Sequence, residues 1–150
     1  MLTGDNDIAG GPIARANRLR VLVVDDVDIN REIAQAFLES QGHEVTCVEG
    51  GAEAVVAAAN DDEYDVILMD VSMPEIDGLE ATRRIRSLSG RRGLKPIVGL
   101  TAHVFAGKIA ECFEAGMDDH LPKPFTHEAL AQVVSRAVTG DRRVKTQPVF

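Results

Sequence analysis

The sequence has no apolar run near the roughly 18 residues that a membrane-crossing helix needs, so membrane insertion is not expected. Its start, Met1 to Gly11, carries acids and glycines where a secretory leader would carry a basic segment and an apolar stretch. Cysteine is scarce. Cys47 and Cys112 are the only two, with neither metal-ligand spacing nor a disulfide framework. Both stand among apolar neighbours and read as packing residues suited to a reducing cytoplasm. An excess of positive charge is also missing. The formal net charge is -8, which argues against nucleic acid as the direct partner, because phosphate backbones call for clustered lysine and arginine. There is no internal repeat and no low-complexity tract.

What the chain does have is enough apolar content for one core. Hydrophobic residues make up 45% of its 150 residues and charged residues 27%, the balance of an ordinary single domain. Residues 1–18, with Gly4, Gly10, Gly11 and Pro12, read as a flexible leader or linker. Residues 19–138 read as the folded domain, and residues 139–150 as a disordered tail.

Between those ends, short β-branched runs alternate with stretches of helical spacing. Leu19 to Val24 is a continuous apolar strand that stops at Asp25-Asp26. Ile29, Ile33, Ala36 and Phe37 then mark a helix that Asp28 could cap and Gly42 could end. Glu44 to Val48 is a second strand, and Ala52, Val55, Val56 and Ala59 mark a second helix. Asp65 to Asp70 is a third strand, again closing on an acid. Asp77 with Glu80 resembles a capping box before Leu79, Thr82 and Ile85. Pro96 to Thr101 is a fourth strand. Phe105, Ile109, Cys112 and Phe113 follow as a helix with Gly116 beyond its end, and His120-Leu121 is a brief fifth strand. Thr126 caps a last helix striped by Leu130, Val133, Val134, Ala137 and Val138.

Five strand–helix units with continuous apolar strands predict a doubly wound α/β fold, a five-stranded parallel sheet with helices on both faces. In such sheets ligands bind outside the carboxyl ends of the strands. The polar residues at those ends should therefore converge: Asp25 and Asp26, Asp70, Thr101, and Lys123. Three ionised carboxylates in one place repel one another unless a cation sits among them, and oxygen ligands suit Mg²⁺. Lys123 could pair with Asp70 or with a phosphoryl oxygen placed there, and the Thr101 hydroxyl could donate to such an oxygen. The chemistry implied is attack by a carboxylate on phosphorus to give an acyl phosphate. Asp70 stands alone and is the sensible nucleophile, whereas Asp25 and Asp26 are paired for metal.

Val21-Leu-Val-Val-Asp-Asp26, Val66-Ile-Leu-Met-Asp70-Val-Ser-Met-Pro74, Asp77-Gly78, Leu100-Thr101-Ala102 and Leu121-Pro-Lys123-Pro124 together resemble the receiver domains of two-component response regulators. The resemblance runs from about Leu19 to Val138. It implies the flavodoxin-like strand order 2-1-3-4-5. Asp70 would be the phosphoacceptor. Asp26 and Asp70 would bind Mg²⁺ by side chain, Asp25 through water, and Ser72 by its backbone carbonyl. Thr101, Ala102 and Lys123 would meet the phosphoryl group, and the Lys123-Pro124 bond would be cis. The donor would be a histidine kinase or a histidine phosphotransfer domain. The output would be a changed protein surface, with slow loss of the phosphoryl group by the domain itself. The wording Met-Asp-Val-Ser-Met-Pro, Leu-Glu-Ala-Thr-Arg-Arg-Ile-Arg and Ala-Gly-Met-Asp-Asp-His-Leu is similar to receivers attached to hybrid sensor kinases, whose preceding domains would then be partners. One departure stands out. The family usually has Tyr or Phe three residues before the lysine, where this chain has His120, so His120 is expected at the rotating switch position. Ser72 and His103, each two residues past Asp70 and Thr101, occupy positions that tune phosphoryl lifetime in the family.

Other readings compete. Asp26-Val27-Asp28 imitates the nucleophile motif of haloacid-dehalogenase-type phosphatases, and Gly116-Met117-Asp118-Asp119 their late metal motif. Against this, Asn30 stands where Thr or Val is expected, and Asp118 and Asp119 precede the last strand. A receiver-like docking module that works without phosphorylation is a second alternative, although every chemical position is filled. A flavodoxin-like electron carrier would need a phosphate cradle, which Asp25 to Asn30 does not provide.

Overall fold

The computed structural model describes residues 18–102 and 105–140. Five strands and five helices alternate. They are β1 (Arg20–Val24), α1 (Asp28–Ser40), β2 (Glu44–Val48), α2 (Gly51–Asn60), β3 (Val66–Asp70), α3 (Gly78–Arg86), β4 (Ile97–Thr101), α4 (Ala106–Ala115), β5 (Asp119–Pro122) and α5 (His127–Thr139), with a 3-10 turn at Gly90–Leu94. The strands form one sheet in the order β2-β1-β3-β4-β5, and every pair is parallel. This is the expected architecture and order.

The two faces of the sheet bury separate apolar clusters. Leu22, Ile67, Met69 and Ile97 pack with Ala54, Ile85, Cys112 and Met117 on one face. Val21, Val23, Leu68 and Leu100 pack with Ala34, Leu38, Leu130 and Val134 on the other. The alternation along each strand divides its side chains between the two helical layers, which is why β1, β3 and β4 read as continuous apolar runs.

Several local expectations need correction. Asp28 is the first residue of α1, not its cap. The capping position is Val27, which makes no side-chain bond; instead the Asp25 carboxylate takes the Val27 N–H at 3.0 Å. In α1 the buried residues are Ala34 and Leu38, while Ile29 and Ile33 are 55% and 41% exposed. In α2 the buried set is Gly51, Ala54 and Ala58, and Val56 is exposed. Ala34 beside Leu38 in α1, and Ala54 and Ala58 in α2, meet the sheet, while Ile29, Ile33 and Val56 are turned outward. Phe105 precedes α4 and is likewise exposed. The capping box at α3 is half formed. Asp77 accepts from Glu80 N at 2.9 Å, but the Glu80 carboxylate turns to Arg83 and Arg84. Thr126 caps α5 as expected, accepting from Ala129 N at 3.0 Å. Gly116 ends α4 with φ of 114°, a left-handed turn that favours glycine. The leader through residue 17 and the tail from residue 141 lie outside the described residues.

Candidate functional site

The carboxyl ends of β1, β3, β4 and β5 bring the expected residues together. Asp25 and Asp26 follow β1, and Asp70 closes β3. Each of the three offers a carboxylate oxygen within 4.8 Å of the others. Asp25 and Asp70 are buried, and Asp26 is exposed at the rim. Lys123 reaches in from beyond β5, with Nζ 3.2 Å from Asp70 Oδ1 and 3.4 Å from Asp25 Oδ2. Its backbone N–H donates to the Thr101 carbonyl at 2.8 Å, so the lysine is tied to the end of β4. The Lys123-Pro124 peptide bond is cis, as expected.

Thr101 is buried at the end of β4. The register pairs Asp70 with Leu100 and Thr101 with Pro122, which sets Thr101 one residue past the partner of Asp70, with Ala102 exposed beyond it. The Ser72 N–H donates to Asp70 Oδ1 at 3.4 Å, so this amide and Lys123 both converge on Oδ1. His120 lies in β5 and packs edge-on against Phe113 of α4, ring centroids 6.3 Å apart. Its Nδ1 is buried without a hydrogen bond. His103 lies outside the described residues.

The sequence reading did not anticipate three supporting contacts. Asn30 Nδ2 donates to Asp25 Oδ1 at 3.3 Å, and Arg31 donates to the Asp25 carbonyl at 2.8 Å. The first turn of α1 therefore holds the acid that precedes it. Spacings of five and six residues from Asp25 were the available signal. Gly78 is the third. A Cβ there would lie 2.1 Å from the Asp70 carbonyl oxygen, so only glycine lets the start of α3 close against the backbone of Asp70.

The electrostatics are those of a crowded anionic pocket. Burial pushes the Asp70 carboxyl up from 3.8 to about 6, and repulsion from Asp25 adds to this while Lys123 opposes it. Burial works against the Lys123 ammonium too, but Asp70 and then Asp25 outweigh it and raise its pKa above the usual lysine value. Three carboxylates face one ammonium. The deficit of positive charge and the all-oxygen donor set fit a hard divalent cation.

The remaining acids of the rival phosphatase motif are elsewhere. Asp118 pairs with Arg86 at 2.9 Å, and its N–H donates to the carbonyl of Ile97 at the start of β4. Asp119 pairs with Arg136 at 3.0 Å. Both stand at the amino end of β5, the opposite edge of the sheet from Asp26, and so cannot share a metal with it. Among the described residues no helix is long and apolar enough to cross a membrane.

Comparison with known proteins agrees with this geometry. Residues 21–135 match the family model described as the response regulator receiver domain. The chain is 44% identical over 126 residues to the sensor protein GacS of Pseudomonas syringae pv. syringae, covering 83% of this chain and 14% of that protein. It is 38% identical over 139 residues to probable histidine kinase 6 of Oryza sativa subsp. japonica, covering 81% and 14%. The chain thus spans about a seventh of the length of these curated relatives. Among solved structures, it superposes with a TM-score of 0.75 and 38% identity on the receiver domain of the sensor histidine kinase PA1611 from Pseudomonas aeruginosa, over 81% of this chain and 98% of that one. That crystal structure holds a magnesium ion in its active-site cleft. The chemotaxis protein CheY4 of Vibrio cholerae matches with a TM-score of 0.75 at 32% identity, over 80% of this chain and 98% of that one.

Proposed function

Since the chain belongs to the response regulator receiver domain family, we propose that it is a phosphorelay switch that accepts a phosphoryl group on Asp70 from a phosphohistidine donor, in a Mg²⁺-dependent reaction. One observation carries the reading. Two buried acids and a rim acid from β1 and β3 meet at one point, within reach of a single ammonium from beyond β5.

Asp70 is the nucleophile. A carboxylate oxygen attacks phosphorus, the bond to the donor imidazole nitrogen breaks, and the nitrogen leaves with the electron pair. Lys123 holds Oδ1 and then lies beside the new phosphoryl oxygens, whose charge it offsets. Asp25, Asp26, Asp70 and the Ser72 carbonyl would hold Mg²⁺, Asp25 through water. The ion, when bound, neutralises the acids and the charge that develops on the transferring group. Thr101 and Ala102 would meet the phosphoryl oxygens. Phosphorylation adds about two negative charges at the strand ends. Contacts that Thr101 and Lys123 make only with the modified form would bias β4, β5 and α4 toward a second arrangement. His120, with an unpaired nitrogen against Phe113, fills the position that would move with them. The domain would speed its own phosphorylation and slowly hydrolyse the product, and signal transfer is its role.

Ser72 and His103 tune that hydrolysis. Replacing either by alanine is expected to change the lifetime of the acyl phosphate while the extent of phosphorylation stays high. Decay of the phosphorylated form, followed by intact mass, checks this, and equal lifetimes in all three proteins would remove the role.

The donor would be a histidine kinase or a histidine phosphotransfer domain, including the preceding domains of a hybrid kinase; the kinase identity of the longer relatives supports this. Whatever carries the phosphohistidine must cover the mouth of the pocket. Val27, Ile29 and Ile33 are exposed there, beside a groove of about 480 Å³ lined by Ile33, Phe37, Lys123 and Phe125. Apolar groups left outward on α1 suit a protein donor's helices. Ile33→Glu is expected to slow transfer from a phosphorylated histidine phosphotransfer domain about tenfold or more, with labelling by a small phosphodonor unchanged. Equal loss with both donors would place Ile33 in the fold rather than in docking. The reading as a whole is tested by transfer of labelled phosphate from such a domain, expected for the wild type and absent for Asp70→Asn.

A further inference from the structure

We propose that Asn30 is a positioning residue that sets the ion preference of the strand-end site: it leaves Asp25 one oxygen for the pocket and so favours Mg²⁺ over Ca²⁺. The proposal rests on the reading of Asp25, Asp26 and Asp70 as the place where the divalent ion binds. A side-chain amide in the first turn of a helix ordinarily serves nearby backbone groups. Asn30 is the third residue of α1, and its side chain reaches instead to the buried carboxylate five residues back, with Nδ2 at 3.3 Å from Asp25 Oδ1. A carboxylate only accepts, so the amide nitrogen is the atom that must face it.

The Asp25 carboxylate is divided between two tasks. Its Oδ1 accepts from the Val27 N–H at 3.0 Å and from Asn30. Its Oδ2 faces Lys123 Nζ at 3.4 Å. With two donors on Oδ1, Oδ2 is the oxygen left to serve the pocket. The main chain here is held separately. Arg31 donates to the Asp25 carbonyl at 2.8 Å, and its guanidinium also pairs with Asp28 and, at 3.8 Å, with Glu49 just past β2. The Asn30 N–H is bonded to the Val27 carbonyl at 3.1 Å. The path of the backbone at Asp25 therefore does not depend on the Asn30 side chain. What that side chain controls is the rotation of one buried carboxylate.

Rotation matters because the two common hard cations use carboxylates differently. Mg²⁺ is small, keeps several waters and demands near-octahedral geometry, whereas Ca²⁺ takes more oxygens and accepts both from one carboxylate. An acid with one oxygen pinned suits the first ion and denies the second its extra ligand. Without the Asn30 amide, Oδ1 keeps one donor in place of two, and the carboxylate is free to turn both oxygens toward the ion. Hydrogen-bond partners behind a metal ligand commonly set affinity on a scale of about tenfold or more.

The test is titration of the whole protein with Mg²⁺ and, separately, with Ca²⁺, followed by amide shifts in NMR spectra, for wild type, Asn30→Leu and Asn30→Ala. Leucine keeps the bulk and loses the donor, and alanine guards against an effect of the leucine itself. Wild type is expected to bind Mg²⁺ the more tightly. In both variants Mg²⁺ binding should weaken about tenfold while Ca²⁺ binding is kept or strengthened, so the preference falls by about that factor or more. Equal weakening of the two ions, as a general loosening of the fold would give, overturns the proposal. So does an unchanged preference, a wild type that binds Ca²⁺ the more tightly, or loss of cooperative melting in both variants, which would make Asn30 a residue of the fold. A wild type that binds neither ion overturns the reading of the site as well; a wild type that binds Mg²⁺, with variants that match it, overturns the role of Asn30 alone.

Discussion

Replacing Lys123 by alanine is expected to slow phosphorylation by a small phosphodonor about 100-fold at saturating Mg²⁺, the scale on which one charge-stabilising donor is worth in a transition state. Among the described residues the ammonium is the one side-chain cation against the nucleophile, 3.2 Å from Asp70 Oδ1. Its removal leaves developing phosphoryl charge facing Asp25 and Asp26. Because the lysine is held by its own backbone bond to Thr101 and by two carboxylates, it waits in place and no reorganisation accompanies the step. Rates from intact mass against time check the expectation. A rate within about twofold of wild type would show that the ammonium does not meet the transferring group.

Asp70→Asn is expected to make the protein more stable at pH 8 in the absence of divalent cations, by about 3 kcal/mol. The sign follows from linkage. Burial and Asp25 raise the Asp70 carboxyl from 3.8 to about 6. Between those values the folded chain binds more protons than the unfolded chain, so its stability falls as pH rises through that window. Above it the native state holds a charged carboxylate at full cost, and the asparagine variant does not. The gap should therefore close below about pH 4. Mg²⁺ should narrow it at pH 8 by stabilising the wild type alone. Urea titrations at the two pH values, with and without Mg²⁺, measure this. A variant that is less stable than wild type at pH 8 would mean that Asp70 is satisfied by its neighbours and needs no cation.

Much of the architecture was legible because each strand of a doubly wound sheet is buried on both faces. Val21 to Val24 and Val66 to Met69 read as unbroken apolar runs, and acids or a threonine at their ends mark the edge where ligands bind. The phases of α1 and α2 were not legible. Bulky residues are ordinarily assigned to the core, but here Ala34, Ala54 and Ala58 face the sheet. Ile29, Ile33 and Val56 face outward. For Ile29 and Ile33 that inversion leaves apolar surface exposed on α1. The cap of α1 was misplaced for a related reason. Asp25 serves both the helix start and the pocket, so Asp28 is left to Arg31 on the surface. The contacts of Arg86 with Gly93, Lys95, Gly116 and Asp118 join residues up to 32 apart and leave no local pattern to read.

The most direct measurement is exposure of the whole protein to a small phosphodonor with Mg²⁺ or with a chelator, read by intact mass and then by peptide mapping. A gain of one phosphoryl group that needs Mg²⁺, maps to Asp70 and is absent from Asp70→Asn is the expected result. A gain that persists under the chelator, or that maps to Asp26 and survives in Asp70→Asn, would contradict the assignment of the nucleophile and of the ion its neighbours are arranged to hold.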